Sequence, residues 1–424
     1  MALTAPPIPQ ELFDTTQVDP NQVEGMLGRL RRLARSFAPF FYRTEQAKLA
    51  EIYLEGLASD LHRKSVEPIA IAHHRSRQGL QRFAGQGKWE DAKVRAELHR
   101  QVARDLGDPD GILVLDGSGF PKKGSHSVGV ARQWCNRLGK VENCQVGVFI
   151  AYHGQGSSVL VDGDLFLPHE WTRRRSRMNA CHVPQEIRFR SKITIARQLH
   201  ELVAPRIPHG WTVGDDEFGR PARFRRSLRR RGERYVLEVP ANTAIRDVDA
   251  PEPVRTPGQR GRSRQPPSIH LEQWARELPS SVWTRVFIRD GEKGPQFLEV
   301  TTARVRTRTD RKKDGPREIA VVTRTTDETP EVKYFLSNAE ALTPRQTLAQ
   351  VAVHQHRIEE SFQLAKDDIG MDHYEVRSWL GWQHHMTMSF LAHWFITREH
   401  RRLGGKISGA DAGLDGQAHA EGVA

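Results

Sequence analysis

Three acidic residues carry most of the chemistry this chain offers. Asp116 closes the apolar run Ile112-Leu113-Val114-Leu115, and Asp215 closes the run Trp211-Thr212-Val213-Gly214. Alternation along an extended chain puts Ile112, Val114 and Asp116 on one face, and Trp211, Val213 and Asp215 likewise. If the two runs are neighbours in a parallel sheet, both carboxylates emerge at the carboxyl ends of the strands, where open α/β sheets bind ligands. The third acid is Glu359. Ile358, Phe362, Ala365 and Ile369 form an apolar stripe at helical spacing, with Glu359 at its edge in line with Gln363 and Lys366. Glu360 points away from the stripe, towards solvent. Two strand-end aspartates and a helix-borne glutamate would form an all-oxygen pocket suited to Mg²⁺ or Mn²⁺. Two such ions about 3.5–4 Å apart activate a water or hydroxyl and stabilise the leaving oxygen of a phosphodiester. Taken singly, each aspartate also fits a turn or helix-cap role, and Glu359 fits an ordinary amphipathic helix.

The charge balance points to the same substrate class. Lys and Arg total 64 against 52 Asp and Glu, so the formal net charge is 64 − 52 = +12. The field favours polyanions, and nucleic acid is the commonest such partner. The cations cluster at Arg173-Arg174-Arg175 with Arg177, along Arg223 to Arg231, and along Arg304 to Lys313. Three cysteines in 424 residues exclude a disulfide scaffold and suit a reducing compartment. Cys135, Cys144, Cys181 and His182 lack the close pairing of a zinc knuckle and read as buried thiols. His73-His74 and His384-His385 read as surface or satisfied core histidines. The longest apolar stretches, such as 146–152, fall far short of the ~20 residues of a membrane span. No basic-then-apolar leader follows Met1, so a cytoplasmic location without membrane association is expected.

These residues need elements to position them. A length of 424 residues implies more than one packing unit. Residues 1–20 are polar and proline-rich, and a flexible N-terminus is expected there. Apolar spacing over 21–106, such as Met26, Leu27, Leu30, Leu33 and Phe37, predicts an all-helical N-terminal domain, for DNA binding or oligomerisation or equally as a plain packing domain. A turn cluster at 107–111 opens an α/β layer. Strands are predicted over 112–116, 145–152, 158–167, 211–215 and 235–239, and a helix over 192–203. Residues 246–340 read as a β-rich insertion, beginning in a Pro/Arg/Gly-rich linker. Helix resumes from Arg345 to about Arg402, so 107–245 and 341–402 together form the expected core. The Gly/Ala-rich 403–424 reads as a disordered tail.

With the acids placed, a longer pattern stands out. The block from Asp116 through Gly117-Ser118-Gly119-Phe120-Pro121-Lys122-Lys123-Gly124 to Trp134, continued by 139–148, resembles insertion-sequence transposases of the DDE superfamily. So do 165–171, 214–219, the stretch from Ile358 to Phe362 with Lys366, and 372–379, in the same order from about residue 35 to 400. The resemblance implies a ribonuclease H-like catalytic core whose acidic triad is Asp116, Asp215 and Glu359, holding two Mg²⁺ (or Mn²⁺) ions. Asp215 rather than Asp216 matches, because the family spacing runs from the aspartate to an aromatic and a glycine, here Phe218 and Gly219. Lys366 corresponds to a lysine that touches DNA phosphate near the scissile bond. Two positions depart from the pattern. Gln355 and His356 stand where relatives often carry Arg-Trp, and Gln383-His384 replace a usual Tyr-Arg.

The implied function is Mg-dependent cleavage at the ends of a bacterial mobile element and strand transfer into target DNA. Partners would be terminal inverted repeats and target DNA, bound as a homodimer in the bacterial cytoplasm, with the nucleoid. Lys122, Lys123, Arg132 and Lys140 are candidate DNA-channel residues. Trp134 and Trp171 suit base stacking or, as the stronger expectation, core packing. The alternatives are a catalytically inactive copy that binds repeat DNA, and a plain nuclease without strand transfer.

Overall fold

The computed structural model describes residues 24–251, 267–291, 294–308 and 314–404. The expectations for 1–20 and for the tail beyond Gly404 lie outside these residues. The chain divides into two compact units. One comprises Met1–Leu98, Asp290–Pro295 and Gln363–Ala424; the other comprises His99–Arg289 and Gln296–Phe362.

In the first unit the N-terminal helices are α1 (Met26–Ser36), α2 (Thr44–Leu57), α3 (Val66–Ala72), α4 (Arg77–Gln86) and the start of α5 (Asp91–Leu106). Leu30, Leu33 and Ala34 of α1 are buried, at the spacing that puts them on one helix face. Gly56 lets α2 and α3 approach closely, since a Cβ there would lie 2.5 Å from the Ile69 side chain. Trp89 stacks on Phe83 and on His384, with centroids 5.4 and 3.8 Å apart. His385 is buried and satisfied: Nδ1 pairs with the Tyr53 hydroxyl at 2.9 Å and Nε2 with the Met371 carbonyl at 3.1 Å.

The second unit is built on one mixed sheet. Its strands are β1 (Ile112–Pro121), β2 (Ala131–Cys135), β3 (Lys140–Gly154), β4 (Ser157–Phe166), β5 (Trp211–Gly214) and β6 (Tyr235–Glu238). They continue with β7 (Ala244–Asp247), β8 (Ile269–His270), β9 (Thr284–Gly291), β10 (Gly294–Arg308), β11 (Asp314–Thr325) and β12 (Val332–Ser337). The order across the sheet is β2-β3-β1-β5-β6-β12-β11-β10-β7-β8, with β4 on β3 and β9 on β10. β1, β5 and β6 run parallel, and β3 is antiparallel to β1. Residues 246–340 are rich in strand, and β12 joins them to β6 through Phe335↔Glu238 and Ser337↔Val236, so their strands extend the same sheet.

Helices α6 (His169–Arg173), α7 (Arg175–Ala180), α8 (Lys192–Val203), α9 (Asp216–Gly219), α10 (Ala222–Arg230) and α11 (Leu271–Arg276) fall between strands. The Ser191 hydroxyl caps α8 by accepting from the Thr194 amide at 3.2 Å. Ile195, Ala196, Leu199 and Val203 bury one face of it. The continuous helix expected from Arg345 resolves into α12 (Arg345–Val353), α13 (Gln355–Asp367) and α14 (Trp379–Arg402). The Ser378 hydroxyl starts α14 by accepting from the Gly381 amide at 3.1 Å. No described helix is long and apolar enough to cross a membrane.

Two sequence readings change here. Asp116 does not end its strand: the ladder with β3 continues from Asp116↔Phe149 to Pro121↔Cys144. A glycine permits this at residue 119, where a Cβ would stand 2.6 Å from Cys135 Sγ. Trp134, expected to pack in the core, is 54% exposed on β2. Trp171 is buried as expected and donates from Nε1 to the Val130 carbonyl at 2.7 Å.

Candidate active site

β1 and β5 are adjacent and parallel, with Leu115 opposite Gly214. An aspartate follows each of these residues, so Asp116, still within β1, and Asp215, just past the end of β5, stand side by side. Strands lie about 4.8 Å apart, so like charges here repel strongly. Asp116 Oδ1 accepts from the Gly117 amide at 2.6 Å. Asp215 caps α9, with Oδ1 accepting from the Glu217 amide at 3.1 Å and from the Phe218 amide at 3.4 Å. These bonds engage one oxygen, Oδ1, of each carboxylate. Asp216, the neighbour, instead pairs with Arg220 at 2.7 Å on the surface.

Glu359 comes from α13. Phe362, one turn on, meets Phe149 edge-on with centroids 5.3 Å apart. Phe149 is the residue opposite Asp116 across the ladder. Glu359 is exposed, and its Oε2 lies 2.8 Å from His356 Nδ1. Glu360 is exposed as expected, and pairs with Arg357 at 2.9 Å and Arg289 at 3.8 Å.

Of the three acids, Asp116 feels the charge of both others. Burial, the charge of Asp215 and then that of Glu359 push the Asp116 carboxyl well above its usual range. Burial, with Glu217 and Asp216 nearby, pushes Asp215 up to about 7. On β6, burial raises Glu238, the Lys333 charge counters it, and Asp216 and a hydrogen bond from Gln355 add smaller effects of opposite sign. An excess of carboxylate oxygens, half-buried and mutually repelling, is the donor set a hard divalent cation relieves. The residues present therefore fit Mg²⁺ or Mn²⁺.

Sequence reasoning missed the outer acids and their counter-ion. Glu217 pairs with Lys192 of α8 at 2.9 Å, and it adds to the field at both aspartates. The acidic triplet 215–217 was a visible signal for Glu217; nothing local in the sequence links it to Lys192.

A second cluster, His200, His209 and Glu233, has ligand atoms within 4.8 Å of one another. It does not suit a metal. Arg231 Nη2 donates to His200 Nδ1, so His200 Nε2 keeps its proton, which Thr212 Oγ1 accepts at 2.8 Å. His209 Nδ1 contacts the Ile207 carbonyl at 2.8 Å and Nε2 contacts Glu233 at 2.9 Å, which closes a hydrogen-bonded brace.

Among the candidate DNA contacts, Lys123, Arg132 and Lys140 are exposed and Lys122 is half-buried. Lys140 also pairs with Glu142 at 3.5 Å. Lys366, further along α13 than Glu359, is buried. The three cysteines are buried thiols, as the spacing suggested.

The chain belongs to the DDE superfamily endonucleases, whose family model matches residues 36–295. That span contains Asp116 and Asp215 and ends before Glu359. Over 96 residues the chain is also 35% identical to the probable transposase for insertion sequence element IS701 of Microchaete diplosiphon. The aligned part is 22% of this chain and spans only 25% of that relative's length.

Proposed function

We propose that the chain is a DDE transposase of a bacterial insertion sequence. It cleaves DNA at the element's ends and joins the freed end to target DNA, on a ribonuclease H-like core preceded by a helical DNA-binding domain. The observation that carries this reading is the parallel pairing of β1 with β5, which sets Asp116 beside Asp215, with Glu359 near enough to raise the Asp116 carboxyl. Asp116, Asp215 and Glu359 would hold two Mg²⁺ or Mn²⁺ ions, which supply the Lewis acidity that phosphodiester cleavage needs. The protein's own part is to arrange oxygens and protons. Asp215 is held in place by the α9 amides, which bond its Oδ1. The Asp116 carboxyl must surrender its proton before it can act as a ligand, and Lys192 moderates the surrounding negative field through Glu217. Lys123, Arg132 and Lys140 would neutralise DNA phosphates. Lys366 would contribute the same charge only if α13 exposes it on DNA binding. The working form would be a homodimer on paired terminal inverted repeats, acting on nucleoid DNA in the cytoplasm.

The test is incubation of the purified chain with element-end DNA and Mg²⁺. Nicking that depends on the ion and is lost in Asp116→Asn and Asp215→Asn is expected. Nicking that persists in both variants refutes the assignment.

One observation favours a second reading, a DNA-binding copy without catalysis. His356 holds the Glu359 carboxylate at 2.8 Å, at a position where relatives often carry other residues. Specific end binding with no cleavage in either Mg²⁺ or Mn²⁺ would select it.

A further inference from the structure

β2 and the start of β3 form a hairpin closed by a single helical turn at Asn136–Leu138. Its surface is unusual for a sheet edge. Trp134 stands opposite Val141 on the ladder, and these two side chains and Leu138 are 54%, 49% and 42% exposed. Arg132, Arg137 and Lys140 are exposed on the same short hairpin. An exposed indole among cations is costly to leave in water, yet it has the composition of surfaces that stack nucleobases while binding the backbone.

The hairpin's position gives this composition a purpose. Asn136 Nδ2 donates to the Gly117 carbonyl at 3.3 Å, which ties the turn to the residue after Asp116. On the same side Cys135 closes over Gly119, the position where a Cβ would not fit. Trp134 therefore projects from an element fastened beside the acidic cluster. Asn136 Nδ2 and Glu217 Oε2 flank Gly117, 3.8 and 3.9 Å from where its Cβ would stand, so the turn sits beside an outer acid of the cluster.

We infer that the β2–β3 hairpin is a stacking site for an unpaired base of the DNA strand held at the acidic cluster, with Trp134 as the platform and Arg132, on the same face of β2, and Arg137 of the turn gripping the adjoining phosphates. The inference rests on reading the acidic cluster as a DNA-cleaving centre. Charge complementarity selects the occupant: the exposed cations of the hairpin suit a polyanion better than a second, equally basic copy of this chain. Trp134 is a positioning residue here, since it orders the strand and does not touch the reacting atoms. A ring that only braced the hairpin through Val141 would not care whether a DNA probe has unpaired bases.

The experiment compares binding of the full chain, in EDTA, to a blunt duplex and to the same duplex with a short single-stranded tail carrying 2-aminopurine. Wild-type protein should bind the tailed probe more tightly and quench its fluorescence. Trp134→Leu should lose about tenfold on the tailed probe, with the blunt probe unchanged, whereas Trp134→Phe should keep most of the preference. The Leu and Phe variants both fill the site, so the contrast does not depend on an alanine variant folding. Equal binding of the tailed probe by Trp134→Leu and wild type overturns the inference. So does an equal loss on both probes, or a changed oligomeric state with DNA binding intact. Cleavage that survives Asp116→Asn would sink the catalytic reading instead, and it leaves the tailed-versus-blunt contrast to be judged on its own.

Discussion

Phe149 stands directly opposite Asp116 across the β1–β3 ladder, and it is the same ring on which Phe362 of α13 packs. One aromatic side chain thus relates a strand-borne carboxylate to the helix that carries Glu359. The link is an apolar ring contact.

That link yields a contrast between two nearby substitutions. Phe362→Ala should lower stability by about 3–5 kcal/mol, the usual cost of deleting a buried aromatic, and should also impair cleavage. Glu359→Gln, at an exposed position, should change stability by no more than about 0.5 kcal/mol and yet abolish cleavage. Urea unfolding and a nicking assay on both variants measure this. Full activity in Glu359→Gln would remove it from the site.

Asp215 predicts an inverted pH dependence for the metal-free protein. Its folded carboxyl keeps the proton up to about 7, against an ordinary value of 3.8. Between those values the folded state binds more protons than the unfolded one, so stability falls as pH rises. The melting temperature in EDTA should therefore decline across that window, and Asp215→Asn should flatten the decline. A melting temperature rising with pH in wild type alone would contradict the raised carboxyl.

Divalent ions should act on the same group in the opposite sense. Mg²⁺ or Mn²⁺ at a hundredfold excess over its dissociation constant should stabilise the fold by about 2.7 kcal/mol. The gain should grow towards neutral pH as the carboxyls lose protons, and Asp116→Asn should abolish it. Thermal melts with and without the ion decide. An identical gain in the variant would place the cation elsewhere.

Lys192 gives a subtler effect. It is the partner of Glu217 at 2.9 Å, so Lys192→Ala exposes the two aspartates to an uncompensated negative charge. Cleavage in this variant should require higher pH, with the acidic limb of its profile moved to alkaline values, and Lys192→Arg should restore it. An unshifted limb with only a lower maximum would mean that Lys192 serves another purpose.

A buried ion pair outside the acidic cluster offers a control. Arg225 Nε donates to Glu318 at 2.8 Å, both side chains are buried, and the Tyr235 hydroxyl donates to the same carboxylate at 2.6 Å. Arg225→Met should cost about 3–5 kcal/mol because it strands a buried charge, and adding Glu318→Gln should recover part of that loss. Denaturant unfolding of the single and double variants reads the coupling directly.

The local part of this architecture was legible in the residues. The run 112–115 and the run 211–214 read as buried strands because four apolar or small residues before an acid leave few other choices. The stripe Ile358, Phe362, Ala365 read as a helix because its period is that of one helix face. Position 116 was misread as a strand end, since the chain alone does not reveal that β3 supplies partners as far as Pro121. Trp134 was expected in the core because indole usually is, and only the hairpin's edge placement left it in solvent.

What the chain decided by itself was composition and period: which stretches could pair or coil, which acids stood beside apolar runs, and a surplus of positive charge. What tertiary structure alone decided was adjacency. The parallel pairing of β1 with β5 brings residues 116 and 215 together, β12 fastens a distant β-rich stretch to β6, and Lys192 reaches Glu217 from another helix. Such contacts arise from burying apolar faces over long sequence separations, and a carboxylate's local neighbours carry no record of which remote charge will raise or lower its hold on a proton.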